Sequence, residues 1–107
     1  MSNTTTEGRG TIVIVPDGST DWVAGTDTGI EDYKVVSIQF IPSAANDRLI
    51  VRDKSITGIE KFDSGLAPGT APIFEPYPEP QWMMPVIDAS ECTFGTPASC
   101  KIIIDYI

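Results

Sequence analysis

The chain has 107 residues, of which 41% are hydrophobic, and a formal net charge of −8 at pH 7. A chain of this length forms one domain and buries about two thirds of its unfolded surface, so its core needs neither a metal nor a disulfide. The seven basic residues are dispersed, and an acidic surface repels phosphates, which argues against nucleic acid and anionic membranes as partners. No apolar run approaches the roughly 20 residues of a membrane span, and the polar N-terminus carries no signal-peptide pattern.

The first third of the chain predicts short strands between turns. Residues 1–10 are polar and contain glycine, which predicts a flexible N-terminal arm that either frays or orders against a neighbouring subunit. The β-branched run Thr11–Val15 predicts a strand that is covered on both faces. Residues 21–24 predict a short strand, and residues 25–32 predict an acidic, glycine-rich loop.

Residues 33–53 carry the clearest strand pattern. Residues 33–41 alternate with a period of two, which predicts a strand with one buried face and one wetter face. Its two predicted faces carry Val36, Ile38 and Phe40 on one side, and Tyr33, Val35, Ser37, Gln39 and Ile41 on the other. Residues 48–52 repeat the alternation with Leu49 and Val51 inside, and the link between the two strands holds the turn residues proline, asparagine and aspartate.

The second half of the chain is divided by proline. Residues 56–62 predict a strand with a bulge or bend at Gly58. Six of the nine prolines lie in residues 68–85, and because proline has no N–H for a sheet ladder, residues 72–80 predict extended chain along a sheet edge. Residues 82–88 predict a strand interrupted by a proline. The closing strand is predicted to carry Ile102, Ile104 and Tyr106 on one face, and Lys101, Ile103 and Asp105 on the other.

These elements predict an all-β fold. No segment repeats apolar residues at helical spacing. Six to eight short strands with turns between them are typical of an antiparallel β-sandwich or jelly roll, with a small barrel as the alternative. The predicted organisation is an arm over residues 1–10 and a single β domain over residues 11–107, with a proline-rich crossover at residues 68–85.

The sequence offers no catalytic motif. It contains no histidine, which removes the commonest general base and the commonest metal ligand, and it shows neither a P-loop nor a dinucleotide-binding glycine pattern. The prediction is therefore a protein that is not an enzyme and has no cofactor. The acidic loop residues do not match the spacing of an EF-hand and are interpreted as turn carboxylates rather than a metal site; they are Asp17, Asp21, Asp27, Glu31 and Asp32.

The two cysteines, Cys92 and Cys100, are interpreted as free thiols. A reducing compartment favours small apolar side chains over a bond, although a disulfide across the base of a hairpin loop is the alternative. Two cysteines without histidine are too few for a structural zinc site.

The segment PIFEPYPEPQWMMP is the main candidate for function. It places large side chains close together between prolines, namely Phe74, Tyr77, Trp82, Met83 and Met84. Aromatic residues and methionine are enriched at protein interfaces, and proline lowers the entropy lost on binding, so these five residues predict an intersubunit interface. The alternatives are a crossover that packs on its own core, and aromatic rings that stack on a sugar.

Two stretches carry a family resemblance. YKVVSIQFIPSAANDRLIVRD and IDASECTFGTPASCKIIIDYI resemble small all-β proteins encoded among the virion structural genes of tailed bacteriophages. The resemblance implies a capsid decoration or cement subunit that is assembled in the host cytoplasm and resides in the virion. It also implies the major capsid protein or another virion protein as partner, and a homo-oligomer, with a trimer favoured. The resemblance assigns no functional role to any individual residue of this sequence.

Two other functions remain open. The first is a β-sandwich that binds a glycan or a receptor, with Trp22, Tyr77 or Trp82 as the stacking platform. The second is an intracellular β domain with a soluble partner. The position of the exposed aromatic rings distinguishes these functions from assembly.

Overall fold

The structure is a computed structural model that describes residues 3–107, and almost all of its regular structure is β-strand. Two short 3-10 helices, Ala89–Glu91 and Pro97–Ser99, lie in the loop before the last strand. None of the helices in residues 3–107 has the length and apolarity needed to cross a membrane. The strands are β1 (Thr4–Gly8), β2 (Thr11–Val15), β3 (Trp22–Val23), β4 (Tyr33–Ile41), β5 (Ile50–Asp53), β6 (Glu60–Asp63), β7 (Ile73–Met83), β8 (Pro85–Ile87) and β9 (Lys101–Tyr106).

The strands form two antiparallel sheets with the connectivity of a jelly roll. The larger sheet has the order β1-β2-β9-β4-β7, and the smaller sheet has the order β3-β8-β5-β6. Strands β2 to β5 pair with β9 to β6 in reverse order, like one long hairpin rolled into two layers. The predicted antiparallel sandwich or jelly roll is confirmed, with nine strands rather than six to eight because β1 joins the larger sheet.

The core lies between the two sheets. In β9, Ile102 and Ile104 are fully buried and Tyr106 is partly buried against the core, as the alternation predicts. Leu49 and Val51 are also fully buried, as predicted. The other large core side chains are Ile12, Ile14, Trp22, Tyr33, Val35, Ile38, Phe40, Phe62, Met83 and Ile87.

The predicted faces of β4 are only half correct. Ile38 and Phe40 are buried as expected, but Tyr33 and Val35 are buried as well, and Val36 is half-buried. The pairing of β4 with both neighbours shifts register just after Val35. A bulge at this point inserts an extra residue and reverses the alternation, so both halves of the strand direct side chains into the core.

The N-terminal segment differs from the predicted flexible arm. Thr4–Gly8 forms β1 and pairs with β2 along its whole length. The run of threonines suits a strand, and Gly10 supplies the turn with a φ of 79°. The first two residues of the predicted arm lie outside the described residues.

The strand predicted over residues 56–62 begins later, at Glu60. The preceding residues form a turn in which the Gly58 N–H donates to the Ser55 carbonyl over 3.0 Å. A Cβ atom at Gly58 would lie 1.8 Å from the backbone oxygen of Asp53, so this glycine serves a tight turn rather than a strand bulge. Ile59, predicted within the strand, is 72% exposed.

The proline-rich segment lies along a sheet edge, as predicted. β7 pairs only with β4 and closes one side of the larger sheet. Between Pro76 and Gln81 its residues have no paired partner on β4, which accommodates two further prolines where no ladder bond is needed. The strand predicted over residues 82–88 is divided, because the chain leaves the larger sheet after Met83 and enters the smaller one at Pro85.

Replacing Ile104 with alanine is expected to lower the free energy of unfolding by about 2–5 kcal/mol. Ile104 is fully buried, so truncation leaves a cavity in the core. Ile103→Ala is the matched control because Ile103, which is adjacent to Ile104, is only half-buried and lies on the opposite face. We expect this variant to lose less than half as much stability as Ile104→Ala. Chemical denaturation measures both values, and an equal loss for the two variants would contradict the assigned faces.

Candidate interaction surface

Three of the five side chains predicted as an interface pack within their own chain. Met83 is 1% exposed and belongs to the core, and Met84 packs partly against it. The Tyr77 hydroxyl donates to the Lys61 backbone carbonyl on β6, and burial raises the pKa of Tyr77 to about 12. Their surroundings in this chain match the alternative of a crossover that packs on its own core.

The other two residues of this set are exposed. Phe74 is 56% exposed and Trp82 is 65% exposed. Phe74 lies opposite Gln39, and Trp82 lies opposite Lys34, so both rings project from the side of β7 that faces away from the core. Phe74 therefore belongs to a larger surface formed by the whole five-stranded sheet.

That surface, the outer face of the larger sheet, is apolar over much of its extent. One row of paired residues crosses all five strands in the order Thr6, Val13, Ile103, Gln39, Phe74. Val15 and Ile41 flank this row and, like Val13 and Ile103, are half-buried. Solvated sheet faces are normally polar, so the β-branched and aromatic side chains in this row make the outer face a candidate interaction surface.

Few charges interrupt the outer face. The Asp105 carboxylate accepts hydrogen bonds from the hydroxyls of Thr11, over 2.9 Å, and Ser37, over 3.1 Å. Lys34 and Lys101 lie on the same face near its two ends. With two lysines and one aspartate, the outer face carries a small positive charge in a protein whose net charge is −8.

The sequence contains a signal for this surface. Thr11–Val15 predicts a strand covered on both faces, and β9 likewise has isoleucines on both faces. The core covers one face of each strand, whereas Val13 and Ile103 on the other face are half-buried. The pattern predicts the need for a cover, although it does not reveal that β2 and β9 are neighbours.

A separate crevice lies at the corner where the chain passes from β7 to β8. It has a volume of about 470 Å³ and is lined by Asp32, Asp53, Lys54, Trp82 and Met83. None of the ion pairs within residues 3–107 involves Asp32, Asp53 or Lys54. The crevice therefore presents an exposed indole beside two carboxylates and an ammonium group that are not paired with one another.

The backbone of this corner is held by hydrogen bonds in both directions. The Met84 N–H donates to the Asp53 Oδ1 over 2.9 Å, and the Lys54 N–H donates to the Met84 carbonyl over 2.9 Å. Lys54 has a φ of 76°, which a non-glycine residue adopts only when its surroundings enforce it. These contacts fix the orientation of Asp53 beside Trp82.

Of the three aromatic residues predicted as sugar platforms, Trp82 has the most exposed ring. Trp22 is 1% exposed, and its indole N–H donates to the Thr5 hydroxyl over 2.9 Å. Tyr77 is half-buried and its hydroxyl is occupied by Lys61. Trp22 therefore cannot be a stacking platform, because both faces of its ring lie in the core.

Two of the five acidic loop residues, Asp17 and Asp27, cap turns. Asp17 Oδ1 accepts from the backbone N–H groups of Ser19 and Thr20, each over 2.8 Å, and hydrogen bonds from Thr20 and Ser19 hold the pKa of Asp17 at about 2. Asp27 accepts from the Val23 N–H over 2.7 Å. Within residues 3–107, no group of three or more His, Cys, Asp or Glu side chains is arranged to hold a metal ion.

Both cysteines are free thiols, as the sequence indicates. Cys100 is buried, and its thiol donates to the Asp47 carboxylate over 3.5 Å. Cys92 is partly buried, and burial raises its pKa to about 11. A thiol that stays protonated at neutral pH is a poor nucleophile, so neither residue has the properties of a reactive cysteine.

Comparison of the chain with protein-family models, with curated proteins and with solved structures finds no match.

Proposed function

We propose that this chain is a non-enzymatic structural subunit of a virion, of the capsid decoration type, and that copies of it associate through the outer face of the larger sheet. The observation that carries the proposal is the uncovered apolar row through Val13, Ile103 and Phe74. The first partner is a second copy of this chain. The assembled subunit then docks on the major capsid protein or another virion protein.

The size of the outer face supports association between copies. Five strands about 4.8 Å apart span roughly 24 Å, and the molecule measures 31 × 30 × 27 Å. A face of roughly 24 by 30 Å offers about 700 Å², close to the about 800 Å² that each partner contributes to a standard interface.

The charge distribution supports the same partner. Copies with a net charge of −8 repel one another through most of their surfaces. Among the described residues, the paired rows of the outer face carry only Lys34, Lys101 and the hydrogen-bonded Asp105, so two copies approach through these rows with less repulsion than the net charge implies.

The fold supports a structural role by analogy. Jelly rolls occur in viral capsid proteins and in lectins, although a fold by itself does not determine a function. The resemblance to phage virion proteins and the lack of histidine agree with a role in assembly rather than catalysis. A decoration subunit acts by mass action, because it stabilises the assembled shell to which it binds.

Replacing Val13 and Ile103 together with lysine is expected to convert the oligomer into a monomer. Two lysines on the outer face place four unpaired positive charges in a two-fold interface, which opposes its burial. Light scattering coupled to size-exclusion chromatography measures the mass. Isologous pairing of one flat face gives a dimer, whereas the resemblance implies a trimer, and the mass of the unmutated chain distinguishes the two.

Two further variants make this result interpretable. Phe74→Lys changes an exposed edge residue and leaves the core intact, so it tests the same surface if the double variant folds poorly. Ile59→Lys is the control, because Ile59 is 72% exposed on a turn away from the outer face. A monomeric unmutated chain at high concentration, or an unchanged mass in both outer-face variants, would contradict the proposed association.

The role in the virion has its own test. Particles assembled without this chain are expected to disassemble at a lower temperature than complete particles, and adding back the purified protein should restore their stability. Equal melting temperatures and equal capsid integrity would argue against a decoration function, whatever the oligomeric state.

A further inference from the structure

From the corner crevice between β7 and β8 we infer a second function, the binding of a neutral saccharide stacked on Trp82. The inference is tested separately from the proposed assembly role, because the crevice is lined by residues other than Val13, Ile103 and Phe74. Its residues are Trp82, Asp32, Asp53 and Lys54, which line one open volume of about 470 Å³. This volume lies within the roughly 300–1,000 Å³ that is typical of small-ligand sites.

The exposed indole supplies the stacking surface. The face of an indole ring carries negative charge, and the C–H groups on one side of a pyranose ring are apolar and slightly positive, so the two surfaces attract each other. Trp82 is 65% exposed although tryptophan is normally well buried. Its neighbour Met83 is held in the core, which anchors the backbone from which the ring projects.

The polar groups beside the ring match the edge of a sugar. Hydroxyl groups donate strongly to carboxylates, and Asp32 and Asp53 supply carboxylate oxygens, while the Lys54 ammonium donates to a ring or hydroxyl oxygen. Asp53 uses Oδ1 for the Met84 N–H, and its Oδ2 takes no hydrogen bond within residues 3–107, so one oxygen is positioned for a ligand. A flat apolar ring bordered by oriented acceptors and one donor is the arrangement that a pyranose requires.

The charge of the crevice selects the class of saccharide. Two carboxylates and one ammonium leave a net negative charge, and the whole chain carries −8. Sialic acids and uronic acids are therefore repelled, whereas neutral hexoses and their oligomers are accepted. The site is open and touches one side of the ring only, so we expect weak binding to a single sugar and tighter binding when several sites engage one polymer.

The test uses the whole chain and two sets of probes. Glucose, galactose and mannose are titrated while tryptophan fluorescence is recorded, and an array of neutral and acidic oligosaccharides is screened in parallel. Fluorescence is informative because Trp82 is the exposed one of two tryptophans, and Trp22 is enclosed in the core. We expect a saturable change with at least one neutral sugar, and stronger signals from neutral than from acidic oligosaccharides on the array.

Variants assign the binding to the crevice. Trp82→Ala should weaken binding at least tenfold, Trp82→Phe should retain part of it, and Asp53→Asn should weaken it while keeping the contact to Met84. Leu66→Ala is the matched control, because this apolar residue is 67% exposed in the loop after β6, outside both the crevice and the larger sheet, and should leave binding unchanged. Molecular mass is measured for each variant, so that loss of assembly and loss of sugar binding are separated.

Three outcomes with sugars, oligosaccharides and glycans would overturn the inference. They are the absence of any response to neutral sugars and oligosaccharides, unchanged binding in Trp82→Ala, and a preference for acidic over neutral glycans. A soluble sugar that competes with array binding shows recognition of the saccharide itself, whereas binding only to intact glycoproteins would assign the recognition to protein surface and would also overturn it.

Discussion

Replacing Asp47 with alanine is expected to lower the free energy of unfolding by about 3–5 kcal/mol, because several buried donors lose their acceptor at once. Asp47 is 1% exposed. Its carboxylate accepts from the N–H and hydroxyl of Ser43, over 2.8 and 2.6 Å, and from the Gly95 N–H over 2.8 Å. The Ala44 N–H and the Cys100 thiol also donate to it. One side chain thus ties the turn after β4 to the loop before β9.

Denaturation with urea measures this loss, and two variants calibrate it. Asp47→Asn keeps one acceptor oxygen and introduces an amide that faces existing donors, so we expect an intermediate loss. Asp88→Ala removes a half-buried cap whose carboxylate accepts from the N–H and hydroxyl of Ser90, and it should cost about 0.5–2 kcal/mol. A loss for Asp47→Ala no greater than that for Asp88→Ala would show that the Asp47 contacts do not stabilise the fold.

The same carboxylate makes stability depend on pH. Burial raises the pKa of Asp47, but the hydrogen bonds from Ser43 and Gly95 outweigh burial, and the pKa lies below its usual value. A depressed folded-state pKa gives stability that is present above the unfolded value of about 3.9 and is lost as pH falls through the folded value. The difference in stability between the unmutated chain and Asp47→Ala should therefore shrink below about pH 4.

Much of the fold follows from local patterns in the sequence. The alternation in residues 101–106 predicts correctly which side chains of β9 are buried, because a strand with regular pairing on both sides keeps its period of two. Proline in residues 72–80 predicts an edge strand for a similarly local reason, since a residue without an N–H cannot serve a central ladder.

The errors occur where partners distant in the sequence decide the structure. The bulge after Val35 depends on the residues that β7 and β9 place beside β4, and no property of residues 33–41 alone reveals it. β1 is polar because only one of its edges is paired, and its pairing with β2 makes it a strand. The burial of Trp22 depends likewise on Thr5 and on the neighbouring strand β8.

The candidate surfaces show the same contrast between local sequence patterns and contacts between distant residues. Composition points to the aromatic and methionine side chains of residues 74–84, and three of those five side chains pack within their own chain. The outer face is recognised as one apolar surface only from the strand topology, which places Val13, Ile103 and Phe74 in one row. Both exposed rings of β7 project from its outer side, and Trp82 also lines the corner crevice.

Replacing Trp22 with alanine is expected to lower the free energy of unfolding by about 3–5 kcal/mol. The side chain is 1% exposed and is the largest of the fully buried side chains in residues 3–107, so its removal leaves a large cavity. Its indole N–H also donates to the Thr5 hydroxyl over 2.9 Å, which connects β1 to the core. The loss therefore includes both packing and a hydrogen bond that holds the N-terminal strand.

Two variants separate these contributions. Trp22→Phe keeps most of the packing and removes the hydrogen bond, and Thr5→Val leaves the indole N–H without its acceptor at a cost of about 1–3 kcal/mol. Hydrogen exchange should show faster exchange of the β1 amides in Thr5→Val than in the unmutated chain, with little change in β9. A loss below about 1 kcal/mol for Trp22→Ala would mean that this ring does not fill the core. In that case Trp22 would again be a candidate for stacking on a sugar, alongside Trp82.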